Sequence, residues 1–188
     1  MTEDLDPESA KVSEEDLSFE PFMESKAVRD FQCGDRDLEE FLNGDEVAAY
    51  VRENLGRTQL VFLKGELVGY FTTSPGDLRR EKVKRVKSFT IYPDLEVENL
   101  PALLIGRFAV AAKWHRKGIG RWMMRHIMGM AQEFGETHGA RLIILNATSE
   151  EAVQFYTAMG FALTDERKER GRRARTMFFD LHALRDIP

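Results

Sequence analysis

Phe108-Ala109-Val110-Ala111-Ala112-Lys113-Trp114-His115-Arg116-Lys117-Gly118-Ile119-Gly120-Arg121 is the stretch on which the reading of this chain turns. The mostly apolar run Leu103–Val110 reads as a buried central strand. A basic, glycine-containing turn follows, and an amphipathic helix over 118–138 begins at once. Gly118 and Gly120 carry no Cβ where a ligand must approach the backbone closely. The first N–H groups of the helix and the positive end of its dipole favour an anion there. Arg116, Lys117 and Arg121 add formal positive charge, so the combination predicts a diphosphate cradle. Two glycines alone would serve turn geometry equally well. The stretch is not the dinucleotide fingerprint, because Met123 stands where the third glycine belongs, and the chain has no Gly-Lys-Ser/Thr loop.

Working outward, Asp35 is the predicted N-cap of a helix over 35–43 with Leu38, Phe41 and Leu42 on one face. Residues 44–54 repeat the helical spacing, and Gly56 suits its stop. Gln59–Lys64 and Leu67–Thr73 are apolar runs separated by Gly65-Glu66, a hairpin signal. A first strand is expected near Leu17-Ser18-Phe19. Residues 76–99 have no clear period and read as an insertion with one short strand around Ser88–Tyr92. On the long helix, Trp122, Met123, Ile127, Met130 and Phe134 point to the core. Leu142–Leu145 is a buried strand, Ser149–Met159 a helix capped by Ser149 with Glu150 and Glu151 in its first turn, and Thr176–Leu181 a closing strand. The order β, α, α, β, β, β, α, β, α, β predicts an α/β or α+β sheet with helices on both faces.

A chain of 188 residues suits one domain with a real core. Its net charge of −5 is uneven: residues 1–25 hold nine acids and one base, leaving 26 bases and 23 acids, or +3, in the rest. Residues 1–16 therefore read as an acidic, disordered tail ahead of a single domain over 17–188. Bases cluster at Arg79–Lys87 and Arg167–Arg175, so overall acidity does not exclude an anionic partner. No apolar run reaches membrane length, and no basic-then-apolar leader is present, which points to the cytoplasm and away from the membrane. The single cysteine, Cys33, excludes an internal disulfide and reads as a buried structural thiol, and four scattered histidines give no metal-ligand spacing.

The turn at 115–120 resembles motif A of the GCN5-related N-acetyltransferase family, whose loop reads Gln/Arg-x-x-Gly-x-Gly/Ala. Downstream, Ala152-Val153-Gln154-Phe155-Tyr156 and Gly160-Phe161 resemble the same family's second signature, in the family's order and spacing. The likeness spans roughly residues 18–182. One departure is His115, which stands where Gln or Arg is usual. The resemblance implies acetyl-CoA as co-substrate and a mixed, twisted sheet of about six or seven strands, splayed where the acyl-CoA enters. It implies that the Ala109 and Val110 backbone binds the pantetheine arm, that residues 116–121 bind the pyrophosphate, and that a Phe108 or Val110 N–H meets the tetrahedral oxyanion.

Acyl transfer to an amine needs a neutral amine and a proton for the leaving thiolate. Tyr156 matches the family tyrosine that supplies that proton; packing alone is the other reading for it, and the preferred one for Phe155. Spacing selects no base among Glu66, His115, Asn146 and His138, and an amine of low enough pKa needs only water. Asn146 either contacts pantetheine or substrate or simply forms a turn. The pattern Phe31-x-Cys33-Gly34-x-x-x-Leu38-x-x-Phe41-Leu42 resembles the subgroup with the acetyltransferase toxins of bacterial toxin–antitoxin pairs, which acetylate aminoacyl-tRNA. Three acceptor readings follow: a small or protein amine, which is favoured, then aminoacyl-tRNA, and then a weakly catalytic module that binds acyl-CoA or a protein. Members of the family often form homodimers, which Trp114 or Trp122 could line, and the toxin-type subgroup implies an antitoxin partner.

Overall fold

Helix starts and hairpins follow from local chemistry, and a computed structural model describes them for residues 12–24, 28–83, 86, 89–91, 95–164 and 174–184. The elements are β1 (Leu17–Pro21), α1 (Arg36–Asn43), α2 (Glu46–Arg52), β2 (Arg57–Leu63), β3 (Glu66–Arg79), α3 (Arg80–Val83), β4 (Asn99–Val110), α4 (Ile119–His138), β5 (Leu142–Ala147), α5 (Glu150–Ala158), β6 (Ala162–Leu163) and β7 (Arg175–Asp180). They form a mixed sheet of seven strands in the order β1-β2-β3-β4-β5-β7-β6. The chain divides into two compact units, Met1–Thr73 with Arg107–Arg125, and Ser74–Gly106 with His126–Pro188. Of the tail expected over 1–16, residues 1–11 lie outside the described residues, and Glu14–Asp16 form a 3-10 turn closed by Ser13 and Asp16.

In the first unit the Asp35 carboxylate accepts from the Asp37 and Leu38 N–H groups and starts α1 as expected. The Phe31–Leu42 pattern now has a physical explanation. Glu39 accepts from the Cys33 and Gly34 N–H groups at 2.8 Å each, and the Asn43 amide clasps both the N–H and the C=O of Phe31. Phe31 and Phe41 pack on Tyr70, whose hydroxyl donates to the Leu38 carbonyl. Cys33 is buried beneath this loop, and burial pushes its thiol pKa up.

Two expected boundaries move. α2 ends at Arg52 with Asn54 left-handed (φ 54°), ahead of Gly56. Gly56 is instead a point of close packing, where a Cβ would lie 2.5 Å from the Tyr50 hydroxyl. The β2–β3 turn is Lys64-Gly65 (φ 48° and 87°), a two-residue turn matched to strand twist, and Glu66 already pairs with Leu63.

In the second unit β4 and β5 pair in parallel from Ala102↔Leu142 to Ile105↔Leu145. Among the described residues the pairing stops there, although β4 continues to Val110 and β5 to Ala147. The described residues of 76–99, expected as an insertion, are built into the core. Leu78, Val83 and Phe89 are buried with Leu100, Ala102, Leu142, Ile144 and Phe178, and β3 itself runs to Arg79. Phe89–Ile91 form no strand; Ser88 and Tyr92 of the expected strand lie outside the described residues. Ser149 caps α5 by accepting from the Ala152 N–H. β6 carries no pattern of its own: its two residues pair with Met177 and Phe178 of β7.

On α4 the buried residues are Ile119, Met123, Met124, Ile127, Met128 and Ala131, while Trp122, Met130 and Phe134 are only half-buried. Among the described residues no helix is long and apolar enough to cross a membrane.

Candidate active site

Past β4 the backbone is held from two sides before it opens. Ala111 N–H donates to the Val68 carbonyl and Ala112 N–H to the Gln32 carbonyl, both within the first unit. A 3-10 turn, Ala112–Trp114, follows. Trp114 is fully buried, so its indole N–H needs an acceptor. It finds Glu66 Oε1 at 2.6 Å, the same oxygen that Lys113 Nζ meets at 2.7 Å.

The turn then takes two left-handed residues, Arg116 (φ 62°) and Gly118 (φ 87°). The Gly118 carbonyl accepts from Arg121 and Trp122 N–H, which begins α4. The N–H groups of Ile119 and Gly120 precede the first bonds of that helix, so they have no partner within it. Ile119 is fully buried and fixes the helix start, while His115, Arg116 and Arg121 are exposed and Lys117 is half-buried. Gly118 matters for its φ more than for space, since the nearest atom to an added Cβ is Trp122 Nε1 at 4.0 Å. The arrangement presents helix-start amides and three cations on one short turn. A cavity of about 560 Å³ borders its approach, with Gln32, Glu66, Ala111 and Lys113 in its wall.

Peptide groups alternate sides along a strand. Because Ala111 N–H faces Val68 on β3, the Ala109 peptide groups face β3 too, and those of Phe108 and Val110 face the opposite edge. The close approach of Ala109 to β3 is visible at Gly69, where a Cβ would come within 2.7 Å of the Ala109 carbonyl oxygen. His115 Nε2 lies 2.9 Å from the Val110 carbonyl oxygen, so the residue that departs from the family pattern ties the turn back to the strand.

Tyr156 and Asn146 belong to the second unit. Tyr156 is buried between Phe155 and Phe161, at ring distances of 5.2 and 5.7 Å, and burial raises its phenol pKa. Asn146 is exposed on β5 and accepts from the Thr176 hydroxyl at 3.0 Å. The base candidates thin out. Glu66 is engaged by Trp114 and Lys113, and His138 stacks on Phe134 and shares a hydrogen bond with Thr137. Among the described residues no group of three or more His, Cys, Asp and Glu could hold a metal ion.

Two contacts escaped the sequence reading, which had Glu66 only as a candidate base. Glu66 is separated from Trp114 by 48 positions, so only the general need of a buried indole for an acceptor pointed to a partner. Arg107 on β4 lies 3.6 Å over the Phe41 ring and bonds Glu46 at 2.8 Å, and nothing in its sequence neighbourhood marked it.

The profile of the acetyltransferase (GNAT) domain matches residues 57–163. A tRNA-acetylating toxin of Mycobacterium tuberculosis (strain ATCC 25618 / H37Rv) is 25% identical over 138 residues, 73% of this chain and 79% of its own length. The toxin AtaT complexed with acetyl-methionyl-tRNAfMet has a similar fold, with TM-score 0.73, 21% identity and coverage of 90% and 98% of the two chains. A point mutant of AtaT bound to the C-terminus of the antitoxin AtaR and acetyl-CoA gives TM-score 0.69 at 22% identity, covering 90% and 96%.

Proposed function

The chain belongs to the GNAT acetyltransferase family, and on that premise we propose how its residues divide the work and which amine they serve. It is an N-acetyltransferase that takes its acetyl group from acetyl-CoA. In our reading the pyrophosphate lies on the amides of residues 116–121, with Arg116, Lys117 and Arg121 supplying counter-charge. The left-handed Arg116 and Gly118 at the start of α4 carry this assignment. His115, bonded to the Val110 carbonyl, joins that turn to the strand. Strand alternation favours the Phe108 and Val110 backbone over that of Ala109 as the edge for the pantetheine amides. Asn146 remains a candidate contact to pantetheine or acceptor.

The neutral amine nitrogen attacks the thioester carbonyl, a C–N bond forms, the C–S bond breaks to release the thiolate of coenzyme A, and the nitrogen loses its proton to water. Tyr156 is proposed as the donor to the departing thiolate. Burial keeps its phenol protonated at neutral pH, the form a donor needs. An aliphatic thiol has a pKa of about 8.5, below that of a phenol, so Tyr156 stabilises the thiolate by donating a hydrogen bond before solvent completes the proton transfer.

The acceptor we propose is the α-amine of an aminoacyl-tRNA, with a protein antitoxin as regulatory partner. Similarity to the tRNA-acetylating relative supports it. With Glu66 engaged by Trp114 and Lys113, an acceptor that is partly neutral on its own is favoured. An α-amine, with pKa about 7.7–8.0, meets that need far better than a lysine near 10.4.

Mass spectrometry of acetyl-CoA-dependent products from amine, peptide and aminoacyl-tRNA pools tests the acceptor. Acetylated aminoacyl-tRNA is expected, and product confined to the amine or peptide pools overturns the acceptor reading. For Tyr156→Phe, kcat is expected to fall about 100-fold with little change in the KM for acetyl-CoA.

A further inference from the structure

We infer that Glu66 is a positioning residue for the donor-phosphate turn, acting through the indole of Trp114. The inference rests on the proposed reading of residues 116–121 as the diphosphate site and goes beyond it. A carboxylate is an odd neighbour for such a site, since its charge repels a diphosphate. Its surroundings resolve the contradiction. Glu66 begins β3 directly after the tight Lys64-Gly65 turn, so the register with Leu63 fixes its backbone. Its side chain is only 28% exposed and places Oε1 2.6 Å from the Trp114 indole nitrogen. Trp114 is fully buried and immediately precedes His115 and the left-handed Arg116. The Trp114 ring is therefore the foot on which the turn stands, and Glu66 sets its rotation.

Lys113 completes the device. Its ammonium lies 2.7 Å from the same Glu66 oxygen, which neutralises the carboxylate. That ion pair draws Lys113 toward the hairpin and leaves Arg116, Lys117 and Arg121 as the cations for the diphosphate. Two bonds from the strands, Ala111 N–H to Val68 and Ala112 N–H to Gln32, fix the backbone just ahead of the indole. Glu66 is thus the contact that locks the side chain after the strand bonds have locked the main chain.

Positioning and electrostatics predict opposite signs, so variants separate them. Glu66→Gln keeps an oxygen for the indole and removes the charge; Glu66→Asp keeps the charge and shortens the reach. The inference expects Glu66→Gln within about twofold of the parent in its KM for acetyl-CoA, and Glu66→Asp and Glu66→Ala raised about tenfold with kcat unchanged. Trp114→Phe, which retains most of the ring, should raise KM similarly, and the Glu66→Ala/Trp114→Phe double variant should be no worse than either single one. If Glu66→Gln and Glu66→Ala both lower KM, or if Glu66→Asp matches the parent, the carboxylate acts by charge and the inference is overturned. Titration calorimetry of coenzyme A with the unmodified protein separates the two levels. No binding there overturns the donor-site reading and this inference with it, whereas binding with additive Glu66 and Trp114 effects overturns the inference alone. Glu66→Gln and Glu66→Asp, close to the parent in size, keep the test decisive if Glu66→Ala or Trp114→Phe fails to fold.

Discussion

The turn at 112–121 and the segment at 76–99 are both rich in basic residues, yet they put their polar groups to opposite uses. In the turn, a buried Trp114 and a buried Ile119 hold the backbone from beneath, while exposed arginines flank amides that the helix cannot satisfy itself. Among the described residues of the segment, Leu78, Val83 and Phe89 are part of the core, and two of its polar groups are tied internally: Arg80 donates to the Leu95 carbonyl, and the Thr90 carbonyl accepts from Arg141. Positive charge therefore does not distinguish a site from a scaffold. What distinguishes them is whether the backbone donors and acceptors are already paired within the protein.

The largest effect expected from this contrast is on the scaffold side. Arg141 makes a two-toothed pair with Asp180 at 2.7 and 2.8 Å, with both side chains about one-sixth exposed (16% and 15%), and it lies 5.0 Å over the Phe89 ring. Arg141→Met leaves Asp180 with the His182 N–H but without its ion-pair partner, and the Thr90 carbonyl without the Arg141 donor. Loss of a pair this enclosed costs about 3–5 kcal/mol. Urea unfolding should show that drop, while the folded fraction keeps its affinity for coenzyme A. A drop below about 1 kcal/mol would mean that the apolar residues alone hold the segment.

On the other side, Gly118→Ala should reverse the pattern. A Cβ at φ 87° meets almost nothing in space, so the cost is that of the left-handed backbone, about 1–2 kcal/mol. Relief of that strain re-aims the helix-start amides, and the Kd for coenzyme A should rise about tenfold in calorimetry. Unchanged affinity would show that the amides are not the binding element.

Arg116→Gly separates backbone from charge at the same turn. Glycine accepts φ 62° without strain, so the melting temperature should barely move. The lost guanidinium should weaken coenzyme A binding about threefold at low salt, and the difference should shrink as ionic strength rises. A tenfold loss that salt does not alter would assign Arg116 a specific contact in place of a diffuse charge.

The same contrast explains what the sequence alone made visible. At the turn, the glycines, the cations and the start of the amphipathic helix are consecutive, so a local reading suffices. Asp35 and Ser149 as helix caps are local in the same way. The 76–99 segment is decided by partners far away in the chain: Phe89 meets Phe178 edge to face at 5.9 Å, and no window around residue 89 contains that partner. Glu66 and Trp114 failed to announce each other for the same reason. The hairpin turn sits one residue earlier than Gly65-Glu66 suggests, because Lys64 adopts the left-handed conformation ahead of Gly65. Of the candidate site, residues 108–121 come together in one unit, and Tyr156 and Asn146 belong to the other.

Tyr156 crosses the divide, being a buried scaffold residue to which chemistry is assigned, and its titration gives the smallest and finest test. Burial raises the phenol pKa of both Tyr156 and Tyr70 above the usual value near 10. In the folded protein each phenol keeps its proton at a pH where the unfolded chain releases it, so the unfolded state gains from ionisation and the folded state does not. Their contribution to stability is whole below pH 10 and is lost as pH rises from there through the folded values. The slope approaches about 1.4 kcal/mol per pH unit for each phenol, and at pH 10.5 the loss is only about 0.8 kcal/mol each. Urea midpoints measured from pH 8 to 11 should therefore stay level with respect to these phenols and then bend down, and Tyr156→Phe should remove about half of the bend that the two tyrosines cause. Between pH 7 and 9 the kcat of the unmodified enzyme should show no step attributable to Tyr156. Such a step, absent from the phenylalanine variant, would mean that the phenol ionises in the working enzyme and acts as something other than a proton donor.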